Sequence, residues 1–206
     1  MFYVFVQANI LPGTTWKCFM RAAVDVHFNP LVSLAHALAS KGLLCIRITC
    51  KGLNLTDRVK AYHEVWESFL SRKEFTVTKI FLAGKSAGAW AASSMARQLT
   101  AGSEQAVQGL VCLSFRLHPV GQTDHCQRSE DLLGLPKELP VLFLSGTADN
   151  MCEKNILENV ITGLKSPATV QWIEGAGHGL AVEGRFEESV LDEINSRVMS
   201  WILERS

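Results

Sequence analysis

The sequence predicts an α/β fold in which a mostly parallel sheet carries helices on both faces. Five short apolar runs recur along the chain, and such runs are typical of parallel strands covered on both sides. They are residues 43–49, 79–83, 110–114, 141–145 and 169–173. Segments with helical periodicity separate the runs. Alternation of this kind is typical of a doubly wound sheet.

The first two helical segments follow in chain order. One helix is expected to begin with Asn29 as its cap and Pro30 in its first turn, and to stop at Gly42, because proline suits a helix start and glycine a helix end. The segment 56–70 places apolar residues on one stripe. This stripe consists of Val59, Tyr62, Trp66, Phe69 and Leu70.

Three further helices complete the pattern. Residues 89–100 follow the second apolar run, and another helix is expected to start after Asn150 and end near Gly163. The last helix has apolar side chains at helical spacing near the C-terminus. They are Val190, Leu191, Ile194, Val198, Trp201 and Ile202.

The composition fits one globular domain and argues against several other classes of protein. A chain of 206 residues can bury a sizeable core as a single domain. Apolar residues make up 48% and charged residues 19%, which excludes intrinsic disorder. The 20 basic and 20 acidic residues cancel, so nothing points to nucleic acid or an anionic membrane as a partner.

Cysteine usage and the first residues predict a cytoplasmic or nuclear location. The 6 cysteines form no CxxC pair, and Cys45, Cys50 and Cys112 lie within or beside apolar runs. This distribution indicates reduced thiols and not a disulfide framework. The opening residues 1–13 are apolar, but they are too short to span a bilayer and lack the basic segment of a signal peptide.

The stretch FLAGKSAGAW, residues 81–90, has G-x-S-x-G spacing around Ser86. In a nucleophile elbow the serine occupies a strained turn between a strand and a helix, and small residues are needed two positions away. An apolar run precedes Ser86 and a helical segment follows it, as the motif requires. The alternative is a glycine-rich turn without chemistry, so the motif needs an acid and a base elsewhere.

Two later apolar runs are followed by those groups, Asp149 and His178. Because the carboxyl ends of parallel strands meet at one sheet edge, we expect both to lie near Ser86. The order Ser, Asp, His is typical of hydrolases with this topology. The carboxylate orients the imidazole, the imidazole takes the serine proton, and the serine attacks an acyl carbon. The backbone N–H of Ala87 is the expected oxyanion donor.

Other interpretations of these residues stay open. Asp149 can act near the N-terminus of a following helix, where the dipole favours a carboxylate, and His178 can be an ordinary turn residue. Lys85 next to the serine suggests a Ser-Lys dyad as a weaker competitor. His118, His125 and Cys126 match no strong ligand spacing, so neither a metal nor a cofactor is expected.

Four segments carry a family resemblance: CKGLN (50–54), RVKAY (58–62), SGTADNMCEKNILE (145–158) and WIEGAGHGLAVEGR (172–185). They resemble the α/β-hydrolase-like family of testis-expressed protein 30, which includes the third subunit of the nonspecific-lethal histone acetyltransferase complex. The resemblance covers residues 29–206 and implies an α/β-hydrolase fold with the three site residues named above. It implies no substrate, and the complex subunit implies that the fold can also serve as an assembly module.

Residues 1–28 do not match that family. Its members have extra strands first and then a central strand that ends in a His-Gly turn. Here either residues 3–8, with 9–16 as a loop, or residues 20–26 can supply the central strand, and the sequence does not decide between them. We therefore expect an atypical N-terminal segment whose strands are truncated or replaced, ahead of a domain over 29–206. The second oxyanion donor, which the His-Gly loop would supply, is in question.

Two functions from different classes follow. The first is a serine hydrolase acting on a small ester, thioester or similar acyl bond. Residues 115–139 are too few for a large lid, which argues against a long-chain lipase, and they offer Arg116 and His118 near the site. The second is a catalytically weak or inactive interaction protein with a protein partner. The Ser-Asp-His order favours the first function, whereas the atypical N-terminus favours the second.

Overall fold

The computed structural model describes residues 2–10, 20–21, 28–48, 54–71, 75–101, 107–120 and 126–205. Its strands are β1 (Phe2–Ile10), β2 (Met20–Arg21), β3 (Leu44–Ile48), β4 (Phe75–Lys85), β5 (Val107–Leu113), β6 (Val141–Gly146) and β7 (Ala168–Ile173). Its helices are α1 (Asn29–Ser40), α2 (Leu55–Leu70), α3 (Ala87–Ala101), α4 (Cys126–Leu133), α5 (Lys154–Thr162) and α6 (Glu187–Leu203).

The strands form one 7-stranded sheet in the order β2-β3-β1-β4-β5-β6-β7. Strands β4 to β7 are parallel to one another, and β2 is parallel to β3. The predicted mostly parallel sheet is therefore confirmed. The carboxyl ends of β4 to β7 share one border of the sheet, called the site edge below, where such folds place their functional groups.

Strand β1 occupies the centre of the sheet but runs antiparallel to both of its neighbours, β3 and β4. Its Phe2 is paired with Gly84 near the site edge, and its Ile10 is paired with Phe75 at the opposite end of β4. Of the two alternatives for the central strand, the structure thus selects residues 3–8. Of the other alternative only residues 20–21 are described, and they form the edge strand β2.

Helices cover both faces of the sheet, as predicted. Helices α1 and α6 pack on one face, with Leu34 and Ile194 in a buried cluster. Helices α2, α3 and α5 pack on the other face, where Trp66 is among the largest buried side chains. Burial from both sides explains why a strand such as β6, which is buried along its length, is apolar over residues 141–144. Among the described helices, none is long and apolar enough to cross a membrane.

Two predicted helix starts were wrong. Phe28, not Asn29, is the N-cap of α1, and the Asn29 amide donates to the Glu187 carboxylate across the fold at 3.0 Å. Helix α5 begins at Lys154 and not directly after Asn150. The intervening residues form a turn because the N–H of Met151 donates to the Asp149 carboxylate at 2.9 Å.

The predicted apolar stripes are nearly complete. On α2, all the predicted residues are buried except Leu70, which is 40% exposed at the last position of the helix. On α6, Leu191 is the one member that is only partly buried. Helix α4 was not predicted, because it contains few apolar residues from which a stripe could be recognised.

Cys45, Cys112 and Cys152 are buried, and no disulfide joins them to one another or to another described residue. Burial raises the pKa of the Cys112 thiol far above its ordinary value, and it raises the pKa of Cys152 to about 12. Both therefore stay protonated and unreactive at neutral pH. Cys50 lies outside the described residues, as does most of the segment 9–16 predicted as a loop.

Candidate active site

Ser86 forms the turn that joins β4 to α3. Its backbone has a positive φ of 56°, a conformation that non-glycine residues adopt only when the surroundings impose it. A side chain on Gly84 would collide with the backbone carbonyl of Gly88, so the motif's glycines let strand and helix meet closely. The N–H of Ser86 donates to the carbonyl of Leu113 at 3.0 Å, which anchors the turn on β5.

Asp149 lies on the loop after β6, and its residue is 4% exposed. That loop packs backbone to backbone against the loop after β7: the N–H of Ala148 donates to the carbonyl of Ala176 at 3.0 Å. A side chain on Gly146 would collide with this same carbonyl. Close packing of the two loops therefore fixes the carboxylate relative to the segment that carries His178.

The imidazole of His178 lies between the other two side chains. Its Nδ1 is 2.9 Å from Oδ2 and 3.0 Å from Oδ1 of Asp149, and its Nε2 is 2.8 Å from Oγ of Ser86. Because a carboxylate only accepts hydrogen bonds, Nδ1 carries the proton, and Nε2 offers its lone pair to the serine hydroxyl. The structure thus brings together all three side chains that the sequence singled out.

Ala87 is the first residue of α3. The first N–H groups of a helix have no acceptor within the helix, so this donor stays available beside Ser86. The carboxyl end of the central strand lies away from Ser86, because Ile10 of β1 is at the border opposite the site edge. The C-terminal end of β1 itself therefore does not supply a second oxyanion donor. The reversed direction of β1 therefore distinguishes this site from the arrangement that the family resemblance implied.

Lys85 is a site residue whose role the sequence did not predict. Its Nζ donates to the carbonyl of His178 at 3.0 Å and lies 5.0 Å from the ring centroid of Phe28. An ammonium that donates to a carbonyl is not a base, so this contact argues against the Ser-Lys alternative. No local pattern reveals such a contact, because 93 residues separate its partners.

The loop at the carboxyl end of β5, residues 114–118, borders the site on another side. The Trp90 indole, in the first turn of α3, donates to the carbonyl of Arg116 at 2.8 Å. The N–H of Leu117 donates to the carbonyl of Met151 at 2.9 Å, which ties the loop to the acid loop. These contacts hold residues 114–118 between the segments that carry Ser86 and Asp149.

A cleft of about 530 Å³ begins at the residue after His178. Its walls are the start of α1, the segment 179–185 and the start of α6. They are largely apolar and include Phe28, Pro30, Leu180, Val182, Val190 and Leu191. Leu180 is 1% exposed and has a positive φ of 61°. Backbone strain of this kind concentrates at functional segments.

A cluster of ion pairs anchors the end of that segment to α6. Glu193 accepts from Arg185 at 2.8 Å and from Arg197 at 2.6 Å. Arg197 also donates to the carbonyl of Trp172 in β7 at 3.0 Å. The hydrogen bond from Arg185 has the largest effect and lowers the pKa of Glu193. Burial comes next and raises it, but the charges of Arg197 and Arg185 also lower it, so the pKa stays below its ordinary value.

In the described part of the chain, no three His, Cys, Asp or Glu side chains gather as a metal site. His118 is 1% exposed, and its Nδ1 lies 2.9 Å from the carbonyl of Pro119. His125 lies outside the described residues, and of Cys126 only the backbone is described.

Residues 47–203 match the family described as alpha/beta hydrolase domain. The chain belongs to the α/β-hydrolase family. The match extends from the end of β3 to the end of α6, so it includes Ser86, Asp149 and His178. Strand β1 lies outside it. The match thus leaves out the strand of this α/β-hydrolase that runs antiparallel to its neighbours in the sheet.

Solved structures share the fold of this α/β-hydrolase at low sequence identity. Est1E from Butyrivibrio proteoclasticus, with ferulic acid bound, has a TM-score of 0.66 and 14% identity, over 98% of this chain and 95% of that chain. A monoacylglycerol lipase from Paleococcus ferrophilus has a TM-score of 0.66 and 14% identity, over 88% and 90%. A serine hydrolase without a lid from Xanthomonas campestris has a TM-score of 0.58 and 16% identity, over 96% and 89%.

Proposed function

We propose that this α/β-hydrolase is a serine hydrolase that cleaves a small ester, thioester or similar acyl bond. The observation that carries the proposal is the position of His178, whose two ring nitrogens lie within hydrogen-bond distance of Asp149 and Ser86. Ser86 is the nucleophile, His178 the base and Asp149 the acid that orients the base. The backbone N–H of Ala87 stabilises the developing oxyanion.

The geometry supports a two-step acyl transfer. The serine proton moves to Nε2 of His178 while Oγ of Ser86 attacks the acyl carbon, and Asp149 stabilises the resulting imidazolium. The imidazolium then gives its proton to the leaving oxygen or sulfur. Water repeats the sequence on the acyl-enzyme, releasing the acid and restoring the serine. Burial of Asp149 favours this role, because a carboxylate removed from water acts on the imidazole with little screening.

The cleft and the related structures point to a small substrate. A cavity of about 530 Å³ lies in the lower part of the range in which small-molecule sites fall. One related structure holds ferulic acid, and another is a serine hydrolase without a lid. Within the family, we propose that the chain is related to testis-expressed protein 30, whose family the segments 145–158 and 172–185 resemble. We also place it in the cytoplasm or nucleus.

A fluorophosphonate probe tests this function directly. We expect the probe to label the wild-type protein and to lose labelling in Ser86→Ala and His178→Ala. Ser94→Ala, on the same helix as the elbow and partly exposed, is the matched control and keeps full labelling. In a working triad, loss of the serine or the histidine costs on the order of 10⁶ in turnover. Labelling that survives in Ser86→Ala removes Ser86 from its role.

A second candidate is an interaction protein with weak catalysis or none, whose ligand is a protein. The reversed direction of β1 favours it, since Ile10 ends the central strand away from Ser86. The carboxyl end of β1 then does not supply the second oxyanion donor that efficient acyl transfer needs. A protein with a cooperative thermal transition that resists the probe and turns over no activated ester would establish this alternative.

A further inference from the structure

We propose that residues Ser114 and Arg116 form a subsite for a carboxylate, so that the substrate is a small acyl compound with a free carboxylate group. The proposal rests on the serine hydrolase function above and specifies its substrate class. It starts from polar atoms of the loop 114–118 that lack partners. In native proteins nearly all buried polar atoms are hydrogen-bonded, so such atoms need an explanation.

Two of these atoms are hydrogen-bond donors. Oγ of Ser114 and Nε of Arg116 are buried and have no hydrogen-bond partner in the described part of the chain. Ser114 is fully buried, whereas Arg116 is partly exposed. The guanidinium of Arg116 forms no ion pair with any described residue. The buried Nε of a partly exposed residue shows that the Arg116 side chain is partly enclosed by the protein, while its donor has no partner among the described residues.

His118, in the same loop, does not complete an anion site. Its Nδ1 faces the carbonyl of Pro119, which can only accept, so in the tautomer with one ring proton that proton is on Nδ1 and Nε2 is an acceptor. Nε2 also lacks a partner among the described residues. We therefore assign the carboxylate to Arg116 and Ser114. Nε2 of His118 then accepts a hydrogen bond from a donor, such as a hydroxyl, elsewhere on the ligand.

The loop is held next to the reacting atoms. Ser114 directly follows Leu113, whose carbonyl accepts the N–H of Ser86. The carbonyl of Arg116 accepts from Trp90, and Trp90 is about one helical turn beyond Ser86. The subsite thus belongs to the same small region as the nucleophile.

The charges around this region favour an anion. Helix α3 begins at Ala87, and a helix N-terminus carries a partial positive charge. The carboxylate of Asp149 is already engaged by His178 and by the N–H of Met151. One guanidinium without an ion-pair partner among the described residues matches the single charge of a carboxylate better than the charge of a phosphate dianion. Its planar fork also suits bidentate carboxylate binding.

Two esters that differ only in charge test the subsite. The first is the p-nitrophenyl half-ester of glutaric acid, and the second is the same compound with its free carboxylate methylated. We expect kcat/KM of the wild-type protein to be about 10- to 100-fold higher for the first, as for a charge-assisted hydrogen bond. Arg116→Gln should reduce this ratio to about one, and Arg116→Lys should retain part of the preference for the charged ester. Arg97→Gln, an exposed arginine paired with Asp131, should leave the ratio unchanged.

A binding measurement separates failure of the subsite from failure of the hydrolase function. Calorimetry with Ser86→Ala should show binding of monomethyl glutarate, weaker binding of dimethyl glutarate, and loss of the difference when Arg116→Gln is added. Equal kcat/KM for both esters, or monomethyl glutarate binding that survives in the double variant, overturns the subsite. Fluorophosphonate labelling reports separately on the hydrolase function, because that probe carries no carboxylate.

Discussion

At the scale of single residues, Lys85 connects the nucleophile's strand to the histidine. It directly precedes Ser86 and donates to the carbonyl of His178, so one side chain fixes the distance between the elbow and the loop after β7. The distance from Nε2 of His178 to the serine oxygen depends on that loop. We therefore regard Lys85 as a positioning residue, one that touches neither the acyl group nor the proton in transfer.

Lys85→Met should lower kcat for activated esters by about 10- to 100-fold and leave KM nearly unchanged, because a small misplacement of the base reduces the rate and not the binding. Lys85→Arg should restore part of the activity, since it keeps a donor for the carbonyl. Lys79→Met is the matched control: Lys79 lies on the same strand and donates to the carbonyl of Arg205 at 3.4 Å, far from the site. Steady-state kinetics of the three variants would refute the role if KM rose while kcat stayed constant.

At the scale of elements, Glu193 joins α6 to the segment that follows His178. Both of its arginine partners are partly exposed, so each pair is screened by solvent and contributes little alone. Together they fix the end of the segment 179–185 against α6, which shapes the cleft next to the histidine. The pairs thus have a local effect on the site as well as on stability.

Glu193→Gln should lower the free energy of unfolding at neutral pH by about 0.5–1 kcal/mol, as expected for screened pairs. The pKa of Glu193 is lowered in the folded protein from an ordinary value of 4.5. Its contribution is therefore fully present above that value, and it disappears as the pH falls through the lowered pKa. Urea titrations at decreasing pH should give free energies of unfolding that converge for the two proteins once the pH is below the lowered pKa. A difference that persists there would exclude ionisation of Glu193 as the cause.

The direction of β1 is the second feature at this scale. Its carboxyl end is at the border opposite Ser86, whereas the family resemblance implies a central strand that ends in a His-Gly turn beside the nucleophile. With Ala87 as the assured donor, we expect slow hydrolysis of activated esters. Loss of one oxyanion donor costs about 10²–10³ in kcat.

A chimera that carries the family's His-Gly segment in place of residues 1–28 should hydrolyse the same ester about 10²-fold faster. The comparison requires that both proteins show a cooperative thermal transition. Two proteins serve as controls. One is the wild-type protein, and the other is the same chimera with both residues of the His-Gly turn changed to alanine. Equal rates for the chimera and the wild-type protein would mean that another group already supplies the second donor, or that the chemical step does not limit turnover.

At the scale of the whole molecule, β1 holds the two parts of the sheet together. It is paired along its length with β4, and its first half, residues 2–6, is also paired with β3. An N-terminal segment that left this position empty would expose the borders of both neighbours, and exposed strand edges favour aggregation. Because the position is filled, we expect a cooperative thermal transition without aggregation.

Val6→Pro tests this dependence. Val6 is paired with Leu44 and with Ile80, and proline removes a ladder donor there, which is why it is confined to edge strands, strand starts and bulges. We expect a lower Tm and aggregation by light scattering. Ala181→Pro, on an exposed part of the segment after His178, is a comparison that should change the Tm much less. An unchanged Tm in Val6→Pro would contradict the central position of β1.

Much of the fold and site follows from local patterns in the chain. Apolar runs bounded by turns predicted β3 to β7, because strands buried on both faces need such runs. The glycines around Ser86 and the positions of Asp149 and His178 just after two strands predicted where these side chains lie. They come together because parallel strands share one edge for their carboxyl ends. Each of these inferences depends on residues close in sequence together with one general rule of sheet topology.

Only the tertiary structure decided the direction of β1, the contact of Lys85 with His178 and the unpartnered donors of Ser114 and Arg116. A strand's sequence shows that it is buried, but its pairing depends on residues far away: Phe2 meets Gly84. A lysine's carbonyl partner likewise has no local signature, and a donor lacks a partner only once all neighbours are in place. The sequence therefore determined which side chains reach the site edge, whereas packing between distant segments determined what surrounds them.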